Sequence, residues 1–163
     1  EYNLKKDYFS IFGKKLILTS KDNKLESKEK MEYWRKKGVA IATGKAKAKK
    51  GNEFEIKAEK LVWYLNEDKE KIDVKKIFGF NSVSIFTNNE VAFSDKALYN
   101  KESGICKLFG NVKLQKGDSF LTGDYAEVDL NKGISKLLPA PNLDKLNENR
   151  VRALIDKKQK FEE

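Results

Sequence analysis

Residues 104–130 read GICKLFGNVKLQKGDSFLTGDYAEVDL. Cys106, Leu108, Val112 and Leu114 are the apolar members of the first half, with Lys107, Asn111, Lys113 and Gln115 between them. A period of two is the mark of a strand with one dry face. Gly110 interrupts the alternation where a bulge or bend belongs. Gly117-Asp118 is a turn signal, and a second alternating run returns from Leu121 to Leu130. One hairpin is marginal in water, but this chain contains the unit twice.

The other copy begins near Leu25. Met31-Glu32-Tyr33 passes through the basic turn Arg35-Lys36-Lys37-Gly38 into Val39–Ala48. Ala42, Ala46 and Ala48 take one face and Lys45, Lys47 and Lys49 the other. Ala and Lys favour helices, but the strict alternation and the flanking glycines argue for a strand. After Gly51-Asn52, Phe54, Ile56 and Ala58 alternate with Glu53, Glu55 and Lys57, and Leu61, Trp63 and Leu65 follow. Lys30, Tyr33, Gly38, Gly44 and Gly51 match Lys96, Tyr99, Gly104, Gly110 and Gly117 at an offset of 66 (110 − 44 and 117 − 51). Past the turn the offset is 65 (121 − 56), and Trp63, Leu65 and Asn66 meet Val128, Leu130 and Asn131. Inward positions stay inward in both copies, as a structural duplication requires. Between the copies, Asn66–Lys76 reads as a loop or hairpin end, Ile77–Phe86 and Glu90–Asn100 as strands, and Asn88-Asn89 as a turn.

Three segments result: a lead-in of one or two short strands over 1–24, a β domain over 25–138, and a tail over 139–163. Tyr8–Phe12 and Leu16-Ile17-Leu18 are the apolar clusters of the lead-in. Pro139-Ala140-Pro141 ends the sheet pattern. Beyond it, Leu143, Leu146, Val151, Leu154 and Ile155 have helical spacing, while 151–155 equally suits a short terminal strand.

A chain of 163 residues suffices for one domain with a core. No run approaches the roughly 18 apolar residues of a spanning helix. The net charge of +9 favours anionic partners. Lysine supplies nearly all of the positive charge, whereas base reading relies mostly on arginine. The lysines of 45–49 also lie opposite the apolar face, so a basic, aromatic nucleic-acid platform is not formed, and no nucleic-acid partner is expected. With no His and one Cys, Ser-His and Cys-His nucleophile pairs, the commonest zinc ligand and an internal disulfide are all excluded. No phosphate-loop, dinucleotide, zinc or calcium motif occurs, so neither cofactor nor metal is expected. Asp124, Glu127 and Asp129 read as a solvated sheet face rather than a catalytic pair, and Cys106 as a buried small hydrophobe.

Ile41-Ala42-Thr43-Gly44-Lys45-Ala46 with Lys57-Ala58-Glu59-Lys60-Leu61, and Leu108-Phe109-Gly110-Asn111-Val112 with Leu121-Thr122-Gly123-Asp124-Tyr125-Ala126, resemble the repeated Gly-Asn-Val…Ala-Asp-x-Leu pattern of the LptA/OstA family. Lys45 stands where Asn is usual and Gly123 where Ala is usual. The resemblance implies an all-β fold, a twisted antiparallel β-jelly roll open along one seam. It implies a non-enzymatic periplasmic protein that binds and transports lipopolysaccharide, holding acyl chains inside the roll. LptC-like inner-membrane and LptD-like outer-membrane proteins are the implied partners through strand edges, with head-to-tail homo-oligomers; the N-terminal domain of a larger LptD-like protein shares the pattern. On that reading the interior lipid-facing candidates are Ala42, Ala46, Phe54, Ile56, Leu61 and Trp63 in the first copy. In the second they are Cys106, Leu108, Val112, Leu114, Leu121, Ala126 and Val128. A β-scaffold that binds only proteins by edge addition, and an anionic-glycan or nucleic-acid binder with steep salt dependence, are the alternatives.

Overall fold

A computed structural model describes residues 2–3, 7–20, 22–68, 71–139 and 152–154. The strands are β1 (Tyr2–Asn3), β2 (Tyr8–Phe12), β3 (Leu16–Ser20), β4 (Asn23–Ser27), β5 (Lys30–Trp34), β6 (Val39–Lys50) and β7 (Phe54–Asp68). They continue as β8 (Lys71–Phe86), β9 (Val91–Asn100), β10 (Ile105–Lys116), β11 (Ser119–Asp129), β12 (Ile134–Leu137) and β13 (Arg152–Leu154). All belong to one sheet of 13 strands in the order β1-β2-β5-β6-β7-β8-β9-β10-β11-β12, with β3 joined through β4 to β6 and β13 to β11. Every pairing is antiparallel, and among the described residues the path does not close on itself. The all-β, open antiparallel architecture is as expected.

The two copies repeat the same backbone details. Gly44 and Lys45 have φ of 85° and 47°, and Gly110 and Asn111 have φ of 74° and 46°. The ladder shifts register between Thr43 and Ala46, and 66 residues later between Phe109 and Val112. Each glycine sits under an acidic side chain, Glu29 over Gly44 and Asp95 over Gly110, again 66 apart. Leu65 N–H donates to the Gly38 carbonyl at 2.7 Å, and Leu130 N–H to the Gly104 carbonyl at 2.9 Å. Two consecutive left-handed residues re-aim a strand, and only the first of them can be glycine without losing the side chain that follows.

These bulges fold the sheet over. In the ladder Phe54 lies at the level of Phe86 and Val91, whereas Tyr99 lies at the level of Ile77 and Trp63. Yet the Phe54 and Tyr99 rings meet edge-on with centroids 4.9 Å apart. Opposite ends of the strands therefore pack face to face, and the apolar faces of both halves form one core. Ser135 of β12 bonds the Glu90 carboxylate beside the turn between β8 and β9, which ties the last strand across the fold. The outward face carries a chain of ion pairs across β4, β6 and β7: Lys24–Glu26 at 2.5 Å, Glu26–Lys47 at 3.7 Å, Lys47–Glu55 at 3.6 Å and Glu55–Lys57 at 3.0 Å.

Three local readings are sharpened. Residues 66–68 and 71–76 extend β7 and β8, so the polar stretch is a hairpin end rather than a loop. The lead-in contributes β1, β2 and β3 to the same sheet. Of the two alternatives for the tail, the strand is found: Arg152–Leu154 pairs with Thr122–Phe120. The rest of the proposed helical spacing, residues 140–151 and 155, lies outside the described residues.

Candidate functional site

Twelve of the thirteen interior candidates are buried and share one core. Ala42, Ala46, Phe54, Ile56, Leu61 and Trp63 line it from β6 and β7, and Cys106, Leu108, Val112, Leu114, Ala126 and Val128 from β10 and β11. Leu121 differs. It faces Leu114 across the ladder, as parity requires, but is 37% exposed. Its position beside the turn at Gly117 places it at the open end of the fold, where a shallow pocket also touches Leu114 and Phe120.

Small side chains dominate the inner face of β6: Ala40, Ala42, Ala46 and Ala48 are all buried. Beside this face lies an apolar cleft of about 260 Å³, lined from Ala40 and Trp63 to Leu25, the ladder partner of Ala48. Leu25, Met31, Ala40 and Trp63 form its buried floor. Phe9, Ile11, Ile17 and Leu18 stand along its rim, 40%, 40%, 46% and 40% exposed. Large apolar side chains gathered in this way mark a ligand or partner surface. The volume falls just below the roughly 300–1,000 Å³ of small-molecule sites, and the cleft leads directly into the core. Among the described residues, Trp63 Nε1 is the one buried side-chain nitrogen or oxygen without a hydrogen-bond partner; it belongs to a residue of the cleft.

The rim residues were not among the sequence candidates. Their clusters are visible at Tyr8–Phe12 and Leu16–Leu18, but β2 pairs with β5, beyond the β3–β4 hairpin, and that hairpin reaches the sheet only through β6. Short runs do not announce such partners.

The other chemistry-bearing groups behave as structural ones. Cys106 is wholly buried, and burial pushes its thiol up to about 12. Glu127 accepts from the Tyr125 hydroxyl at 2.6 Å and lies 3.6 Å from Lys107. The Asp129 carboxylate accepts from the backbone N–H groups of Lys132 and Asn131, and these bonds, Lys132's foremost, hold its pKa below the usual value. Among the described residues no group of His, Cys, Asp and Glu is arranged to hold a metal, and no helix is long and apolar enough to cross a membrane.

The fold resembles a solved structure, that of LptH from Pseudomonas aeruginosa, described as the LptA-homologous periplasmic component of the lipopolysaccharide transport device. The match has a TM-score of 0.62 at 12% identity and covers 96% of this chain and 99% of that one. No curated protein matches the chain. The family model for the LptA/(LptD N-terminal domain) LPS transport protein matches residues 24–134, which spans both glycine bulges and every interior candidate. The chain therefore belongs to the LptA/LptD N-terminal domain family of lipopolysaccharide transport proteins.

Proposed function

We propose that this protein binds lipopolysaccharide in the periplasm and passes it between membranes as a bridging module, without catalysis. The observation that carries the reading is the apolar cleft, whose rim of four half-exposed large hydrophobic residues descends to Trp63 and the alanine-lined face of β6. An acyl chain entering there is shielded from water, and each buried methylene is worth about 0.8 kcal/mol. The interior candidates continue the path beyond the cleft. Trp63 Nε1 offers a donor to an ester or amide carbonyl of the lipid. The periplasmic setting and a transport role are those stated for LptH.

Bridging uses the sheet edges. Among the described residues β1 pairs only with β2, and β12 only with β11. Each offers unpaired backbone groups for strand addition, to a second copy head to tail, or to LptC-like and LptD-like neighbours. Native mass spectrometry after expression in cells that make lipopolysaccharide tests the binding. A saturable adduct of lipopolysaccharide mass is expected; protein carrying no lipid, with intact edge-mediated oligomers, would favour a purely structural scaffold.

A further inference from the structure

A second cavity, about 570 Å³, lies beside the first-copy bulge. Lys14, Lys15, Lys28, Lys45, Lys47 and Lys57 line it, against only Glu26 and Glu59 among the acids. Lys47 and Lys57 are engaged in the ion-pair chain on the outer face. Lys14, Lys15, Lys28 and Lys45 form no ion pair with another described residue.

The duplication supplies an internal control. At the offsets of the repeat, Lys28, Lys45, Lys47 and Lys57 correspond to Ser94, Asn111, Lys113 and Thr122. The same scaffold thus carries four lysines in one copy and one in the other, so a lysine-rich composition does not account for the cluster. The contrast is sharpest at the bulge. Asn111 has a left-handed backbone, which Asn tolerates, and its Nδ2 donates to Asp95 at 2.8 Å. Lys45 takes the same left-handed φ of 47°, which is costly for a lysine, and it makes no ion pair with Glu29, the equivalent of Asp95. A strained lysine at a bulge, without an ion pair among the described residues and lining one groove with three other such lysines, marks a place where negative charge belongs.

We propose that this groove is a binding site for phosphate esters. Lysines from the segment before β3, the bend between β4 and β5, and β6 line one groove, and several ammonium groups around one groove suit a group with two negative charges. The groove also borders the apolar cleft. Lys14, Lys15 and Leu16 line the groove, while Ile17, Leu18 and Thr19, the next residues of the same strand, line the cleft. At about 3.3 Å per residue, the backbones of Lys15 and Leu18 lie about 10 Å apart. One amphiphile with a phosphorylated head and an acyl chain could occupy both. That lipid-headgroup assignment rests on the proposed function; the anion site itself does not.

The test uses the double variant Lys28→Ser with Lys45→Asn, which installs the residues of the second copy. A charge-matched control carries Lys96→Ser and Lys116→Asn. Calorimetric titration with inorganic pyrophosphate should show at least a tenfold loss of affinity in the double variant and less than twofold in the control. Equal loss in both, or none in either, overturns the site. Intact and enzymatically dephosphorylated lipopolysaccharide then identify the source of the phosphate. A preference for the intact form that vanishes in the double variant supports a lipid headgroup, whereas pyrophosphate binding without such a preference supports a free phosphate ester. If the cleft takes up no lipid while pyrophosphate still binds, the proposed function fails and the anion site stands.

Discussion

Replacing Ile17 with serine separates lipid contact from folding. Ile17 is 46% exposed on the rim of the cleft, so nearly half of its surface remains for a ligand to cover. Burying a whole isoleucine side chain is worth about 1.5–3 kcal/mol. The exposed share scales to about 0.7–1.4 kcal/mol of binding, a loss of about threefold to tenfold in affinity. The share already buried is of similar size, so folding stability should fall by about 1–1.5 kcal/mol. Phe12 is the control. It is 65% exposed, stacks under the Lys30 ammonium and does not line the cleft. Phe12→Ser should leave lipid affinity within about twofold, since it removes no surface that a ligand covers. The assay is a titration of each purified variant with a fluorescent lipopolysaccharide, with urea midpoints measured in parallel. The reasoning is refuted if Ile17→Ser lowers stability as expected but binds as tightly as the parent, or if Phe12→Ser weakens binding as much as Ile17→Ser.

Two further outcomes test the fold. Gly110→Ala puts a side chain at a φ of 74° and into the carboxylate of Asp95, and should cost about 2 kcal/mol from left-handed strain and the displaced Asn111–Asp95 bond. Gly44→Ala should cost about the same beneath Glu29, while Gly117→Ala, with open space around its added carbon, should cost only about 1 kcal/mol; equal urea midpoints for all three would contradict the bulge packing. Burial raises both the Cys106 thiol, from 9.0 to about 12, and the Tyr99 hydroxyl, from 10.0 to about 12, the latter helped by nearby Glu53, Cys106 and Asp73. The folded state keeps these protons after the unfolded chain has lost them, so their stabilising contribution is complete below about pH 9 for Cys106 and about pH 10 for Tyr99, and is lost as the pH rises toward about 12. Urea midpoints should drop above pH 9 and drop less in Cys106→Ala; a flat profile would show that neither group is shielded.

The legible parts of the fold are those where one dry face and one wet face coexist. β6, β7, β10 and β11 alternate because one side meets the core and the other meets water. The bulges were legible because left-handed backbone selects glycine, and the offset of 66 placed them twice. The ends of β7 and β8 around residues 66–76 were not, because their ladder is held by backbone bonds that a polar stretch makes as well as an apolar one. The interior set was legible by parity, and Leu121 escaped burial only because parity does not record where a strand runs out of cover. The cleft was hidden for a different reason. It needs β2 beside β5 and the β3–β4 hairpin beside β6, contacts between segments whose own sequences carry no register signal. The lysine groove was equally hidden, since alternation labels Lys45 as outward without telling what else faces it.

Site-specific photocrosslinking to lipopolysaccharide in living cells tests the central claim most directly. A photoreactive residue at Leu18 on the rim or Leu108 in the core should form a lipopolysaccharide adduct, and one at Lys107 or Lys113, on the opposite face of β10, should not. Equal labelling from both faces, or none from Leu18, would contradict an apolar path for the acyl chains.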